Sequence, residues 1–213
     1  MMPTRKLCDN ARAAPRLSKG QAGRSGARVQ PGEGTVGMDP KYYRNWHLAS
    51  NEMEYQITEF EWSIIRCHEA FARWVTAANS VVLEEDITFS ESIILQTIRM
   101  LDRPKSGVII ARMINRDDVA NVQYSLRKLE SAGLINKVTE RGSKVHAYEV
   151  TEKGRSVTDK FARIRSELLV QSLKTVDKLD ERIVGATQLL ALLTGIYEEV
   201  SRTSAALTHD IED

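Results

Sequence analysis

From Tyr55 to about Leu83 the apolar positions fall at Ile57, Phe60, Ile64, Cys67, Phe71, Trp74, Ala78 and Val81. These alternating steps of three and four predict a long amphipathic helix with a heptad-like seam. A second helix is predicted from about Ser90 to Leu101, with Ile93, Ile94, Ile98 and Leu101 on its apolar face and Pro104 beyond its end. A short third helix follows from about Ser106 to Ile114. Asp117 or Asp118 offers an N-cap for a fourth, whose apolar side is Val119, Val122, Leu126 and Leu129 and which Gly133 closes. The period then changes. Leu134 to Val138 and Val145 to Val150 are β-branched and alternating, and Glu140-Arg141-Gly142-Ser143 between them supplies the turn of a hairpin. Thr151 caps a fifth helix carrying Val157, Phe161, Ile164 and Leu168. A sixth, from about Asp180 to Ala206, has Ile183, Ala186, Leu190, Leu193, Tyr197 and Val200 on one stripe, widened by Leu189, Leu192 and Ile196.

Three helices followed by a two-stranded ribbon make a winged helix-turn-helix. The predicted fold is mainly α with a small β-hairpin wing, flanked by long helices. Those helices carry more apolar surface than so small a module covers, so they are expected to dimerise with a second copy. The expected organisation is a basic, disordered extension over 1–50, an N-terminal dimerisation helix over 51–89 and the winged helix-turn-helix over 90–154. C-terminal dimerisation helices over 155–207 and a tail over 208–213 complete it.

Composition changes the picture at the N-terminus. Residues 1–37 hold six of the twelve glycines, three of the five prolines and seven basic residues, a mixture expected to stay disordered. The segment has no apolar core of a secretory signal and no convincing amphipathic helix of a transit peptide, and Met38 is an alternative start. The two cysteines, Cys8 and Cys67, form no CxxC pair, so a reducing, cytoplasmic setting is expected. No run approaches eighteen consecutive apolar residues, and the chain is expected to have no membrane span.

The net charge of +1 hides a strong division along the chain. Residues 51–98 carry two Lys/Arg against nine Asp/Glu, residues 99–165 fifteen against eight, and residues 166–213 four against nine. A basic middle between acidic flanks suits contact with a polyanion, although solvated charges can fluctuate to the same pattern.

The fourth helix sits in that basic segment and is divided like a recognition helix, anchored by one face and offering the other to the major groove. Its offered residues are Asn121, Gln123, Tyr124, Arg127, Lys128 and Ser131, and Ser125 is counted among the candidate contacts. Amides pair bidentately with adenine and guanidinium with guanine, whereas ammonium serves chiefly phosphate. Asn121, Gln123 and Tyr124 are therefore expected to read bases, and Arg127 and Lys128 to contact phosphate or base edges. Arg141 and Lys144 at the hairpin tip, with Lys137 and His146 nearby, suit a wing at the minor groove. A solvated amphipathic helix and a charged strand edge would look similar in isolation.

Three runs in register carry a resemblance: Ile110-Ala111-Arg112-Met113, then Val122 through Ile135 (VQYSLRKLESAGLI), then Tyr148-Glu149-Val150-Thr151-Glu152-Lys153-Gly154. Over roughly residues 55–205 the chain resembles the MarR family of bacterial regulators, and the INRDDVAN run before the fourth helix is similar to the LdtR-like branch. The family's wing carries an Asp-x-Arg pair, where this chain has Thr139-Glu140-Arg141-Gly142-Ser143-Lys144, a departure that bears on the Arg141 assignment. The resemblance implies a homodimer binding double-stranded DNA, and a small, commonly aromatic effector. Trp62, Arg66, His68 and Trp74 on the first helix are the candidate effector contacts. Cys67 on the apolar seam is expected to be an inert hydrophobe. The dispersed histidines suggest no metal, and no cofactor is expected. No phosphate-binding glycine loop, nucleophile elbow or paired-carboxylate motif points to an enzyme. A winged-helix module that binds proteins without specific DNA recognition is the alternative.

Overall fold

The computed structural model describes residues 46–139 and 146–207. It divides into two units, residues 1–55 and 56–213. In the described part of the first, the Glu54 carboxylate accepts the Ser50 hydroxyl and backbone N–H, both at 2.6 Å. Those bonds, the hydroxyl's first, hold the Glu54 carboxyl below the usual carboxylate range. The Trp46 and Tyr55 rings meet at 5.7 Å.

The helices are α1 (Glu52–Val82), α2 (Phe89–Arg99), α3 (Gly107–Met113), α4 (Val119–Ser131), α5 (Glu152–Ile164) and α6 (Leu179–Leu207). One 3-10 turn, Met100–Asp102, ends α2, and α5 runs on through a π-helical stretch, Arg165–Val170, and a final turn, Gln171–Leu173. The strands are β1 (Lys105–Ser106), β2 (Ile135–Thr139) and β3 (His146–Val150).

Sharp local signals set the ends. Thr88 and Glu91 form a reciprocal capping box at the start of α2: Glu91 N–H donates to Thr88 Oγ1 at 3.2 Å and Thr88 N–H to Glu91 Oε2 at 2.8 Å. Asp118, not Asp117, caps α4. Gly133 takes φ +69° just past its end, the left-handed conformation that glycine adopts most readily. The Thr151 hydroxyl accepts from Gly154 N–H at 3.0 Å and donates to Gly133 O at 2.7 Å, so one side chain closes α4 and opens α5.

The sheet has three antiparallel strands in the order β1-β3-β2, with Lys105 opposite Tyr148 and Ile135 opposite Val150. The antiparallel pairing of the two predicted strands is as expected, the turn at residues 140–143 lying outside the described residues; the third strand is an addition, since two polar residues carry no alternation. Lys105 is 3% exposed. Its ammonium donates to Ile98 O at 2.9 Å, to Arg103 O at 3.0 Å and to Met100 O. Burial, and then the neighbouring Arg103 charge, pushes it below the usual lysine range.

The main core joins Ile94, Leu95 and Ile98 of α2, Ile110 and Ala111 of α3, and Val122, Leu126 and Leu129 of α4. Ile87, Leu134, Ile135, Tyr148, Val150 and Val157 complete it. A second cluster places Val75, Ala78 and Trp74 of α1 against Phe161 and Ile164 of α5 and Phe89 of α2.

Several expected core positions lie at the surface. Leu101 takes φ +64° after α2 has ended, which turns it outward. Val119, in the first turn of α4, is 40% exposed. On α1 the stripe covered within the chain runs through Val75, Ala78 and Asn79, so Ile57, Phe71 and Val81 of the expected seam are exposed. Cys67 is exposed too, contrary to its expected burial. The apolar stripe of α6 is open along its length, from Ile183 and Val184 through Leu192 to Val200. By length and composition α6 also suffices to cross a membrane, a property its apolar runs, interrupted at Thr194 and Gly195, had not suggested.

Candidate nucleic-acid interface

Helix α4 is held from beneath by Val122, Leu126 and Leu129, each at most 1% exposed. The helical period then turns Ala120, Tyr124, Arg127 and Ser131 away from the core, and all four are exposed. Tyr124, at 53% exposure, is the largest of them. A phenol, a guanidinium and a methyl on one outward strip can meet base edges and thymine methyl groups.

The other candidates are held by neighbours. The Asn121 side-chain amide donates to Asp118 Oδ2, while its backbone N–H donates to Asp118 Oδ1 at 3.0 Å. Gln123 is half-buried, and its Oε1 accepts the Tyr148 hydroxyl of β3 at 3.3 Å. Burial first, then Glu130, raises the Tyr148 phenol above its usual range, with Arg127 opposing; the phenol remains a donor at neutral pH. Ser125 is 6% exposed. It lies among the core residues because it follows Val122 by three positions, so it offers nothing to a groove. Lys128 Nζ stands 3.1 Å from Glu91 Oε1 and 5.4 Å from the centroid of the Tyr124 ring. That carboxylate, first by its hydrogen bond and then by its charge, raises the Lys128 ammonium above the usual lysine range.

Arg141 and Lys144 lie outside the described residues. At the wing's base Lys137 is exposed, and His146 Nδ1 is 3.0 Å from Thr139 Oγ1. Sequence reasoning missed Ala120, Tyr148 and Glu91. The wheel that singled out Tyr124 also turns Ala120 outward, but a methyl draws no attention in a search for polar readers. Nothing local marks the other two, which reach α4 across 25 and 37 residues.

Of the four candidate effector contacts, the structure brings two together. Trp74 stands 5.9 Å from Phe71 and 5.5 Å from Phe161, and His68 meets Phe89 edge-on at 5.4 Å. Phe71 and Phe89, at 5.7 Å, join the two pairs. Trp62 is 47% exposed, and Arg66 donates to Ser63 Oγ on its own helix at 3.0 Å. Next to Ala78, the buried Asn79 accepts from Ser92 Oγ through Oδ1 at 3.3 Å while its Nδ2 has no partner among the described residues. No group of three or more His, Cys, Asp or Glu among the described residues is placed to hold a metal.

A family model described as a winged helix DNA-binding domain matches residues 87–154. The chain carries a winged helix domain. It begins at the α2 capping box, contains α4 and the hairpin, and closes on the first turn of α5. No curated protein matches the sequence. Among solved structures, a MarR family transcription regulator superposes with a TM-score of 0.54 at 15% identity, covering 71% of this chain and 99% of its own. A mutant MarR from E. coli complexed with operator DNA gives 0.55 at 16% identity, over 67% of this chain and 99% of its own. Reduced AbfR bound to DNA gives 0.56 at 18% identity, over 68% and 99%. The fold is thus the one these MarR-type structures share, as the sequence resemblance implied. The finer likeness to the LdtR-like branch is not confirmed by these comparisons. In the winged helix domain α4 is the helix that precedes the β2–β3 pair.

Proposed function

We propose that this chain is a cytoplasmic, sequence-specific DNA-binding transcription regulator that acts as a homodimer and responds to a small, commonly aromatic ligand. The observation carrying the DNA reading is the division of α4: three buried aliphatic anchors behind, Tyr124 and Arg127 exposed in front, inside a winged helix domain. Tyr124 and Ala120 meet base edges and thymine methyls, Arg127 takes guanine or phosphate, and Asn121 reads with its side-chain oxygen. Arg141 and Lys144 serve the wing contact. The open stripe of α6 supports dimerisation, because monomers rarely leave so continuous an apolar face uncovered. His68 and Trp74 border the effector site, and the buried Asn79 amide, unpaired among the described residues, follows Ala78 of the same cluster. Coupling then requires that the ligand prefer one spacing of the two recognition helices over the other.

The test is fluorescence anisotropy on the chain's own upstream DNA and on a scrambled duplex, at low and near-physiological salt. A preference for the upstream fragment that survives the higher salt supports the reading, because purely electrostatic binding fades with salt whatever the sequence. Equal binding that vanishes at the higher salt would leave only a basic surface and favour a protein-interaction module.

A further inference from the structure

The most basic-looking contact on α4 is already engaged on the protein side. Glu91 is 3% exposed. One of its oxygens closes the α2 capping box through Thr88 N–H, and the other faces Lys128 Nζ at 3.1 Å. A carboxylate taken out of water needs a cation, and stripping that cation from it is strongly unfavourable. Lys128 supplies the charge while about half of its own side chain stays in water. Its ammonium also lies by the face of Tyr124, at 5.4 Å from the ring centroid, where the ring's negative face attracts it. Tyr124 is the largest exposed side chain on the groove face.

We propose that Lys128 is a positioning residue, clamped by the buried Glu91 carboxylate so as to orient Tyr124 for base contact, and is not itself a phosphate contact. The inference rests on the DNA-binding reading above and deepens it by assigning the specificity of α4 to a chain of three residues. An ammonium that moved out to a phosphate would leave Glu91 buried without its partner, so the clamp and the phosphate roles compete. Arg127, one residue earlier and further round the helix, is the cation of α4 left for the polyanion.

The two roles respond oppositely to substitutions at Glu91 and Lys128. Glu91→Gln removes a negative charge without touching any DNA-facing side chain and retains an amide oxygen for the capping box. If Lys128 served phosphate, freeing it in Glu91→Gln would leave binding unchanged or tighter. Under the clamp, Glu91→Gln and Lys128→Met each lower the ratio of upstream to scrambled affinity by about tenfold for each half-site, the scale of one lost base contact per subunit. Both leave the slope of log K against log[salt] within error of the parent. A merely structural loss would weaken both duplexes alike, so the ratio separates positioning from folding, and thermal melts of each variant fix the temperature at which it is measured. Arg127→Gln is the positive control, expected to flatten the slope by about 1.8, because a homodimer loses one phosphate contact in each subunit. A Lys128→Met slope flattened by that amount, or a Glu91→Gln ratio equal to that of the parent, overturns the proposal. Absence of upstream preference in the parent chain overturns the DNA reading itself, and the proposal with it.

Discussion

Gly154 has no room for a side chain. A Cβ built there would stand 2.1 Å from the Leu134 carbonyl oxygen, which already accepts Thr151 N–H at 3.1 Å. Both partners are backbone, so neither yields easily. Gly154→Ala is expected to cost about 1–3 kcal/mol, the usual range for overpacking a tight core, read from urea unfolding. No loss would mean that the β2 to α5 junction is slack. Thr151 is the other residue on which this junction depends, through its two hydroxyl bonds. Thr151→Ala should cost roughly 1 kcal/mol, as for other N-cap losses, with faster hydrogen exchange confined to the first turn of α5.

Between elements, polar ties reach across long stretches of chain. Lys153 of α5 donates to Glu85 Oε1 at 2.6 Å, in the loop between α1 and α2, and to Ala132 O at 3.0 Å, at the end of α4. The bond from Lys153 holds the Glu85 carboxyl below the usual carboxylate range. A lowered folded pKa means that this tie contributes fully above the ordinary carboxylate value and is lost as pH falls through the folded one. Lys153→Met should return the Glu85 titration, followed by carboxyl NMR shifts, toward its ordinary value; an unmoved midpoint would mean the tie is absent in solution. Such ties explain what the sequence left unread. The order of helices and the hairpin were legible because periods of 3.6 and 2 persist over many residues, and the Thr151 and Gly133 signals are local. Strand β1 was not legible, since two residues show no period and Pro104-Lys105-Ser106 reads as a polar turn. The outward strip of α4 could be drawn on a wheel. Which of its polar groups are already occupied by Asp118, Tyr148 or Glu91 depends on tertiary contacts that no wheel contains.

For the whole molecule, the uncovered stripe of α6 is the feature with the largest expected effect. Leu192 is 62% exposed on a helix without one buried residue. Leu192→Glu should weaken self-association by about 2 kcal/mol or more, as at interface hot spots. Sedimentation velocity would then show a lighter species, and the melting temperature would lose its dependence on protein concentration. An unchanged sedimentation coefficient would place the self-association surface elsewhere. A dimer so built would meet DNA with α4 helices on which Asn121, Gln123 and Lys128 are already tied down beside the exposed Tyr124 and Arg127. Freezing a long side chain on association commonly costs about 0.5–1.5 kcal/mol. Here part of that disorder, at Asn121, Gln123 and Lys128, is surrendered when the polypeptide folds, so the helix behaves as a partly stiffened printing die. Calorimetry of operator binding should accordingly show a smaller entropic penalty per contact than a floppy reading surface would incur.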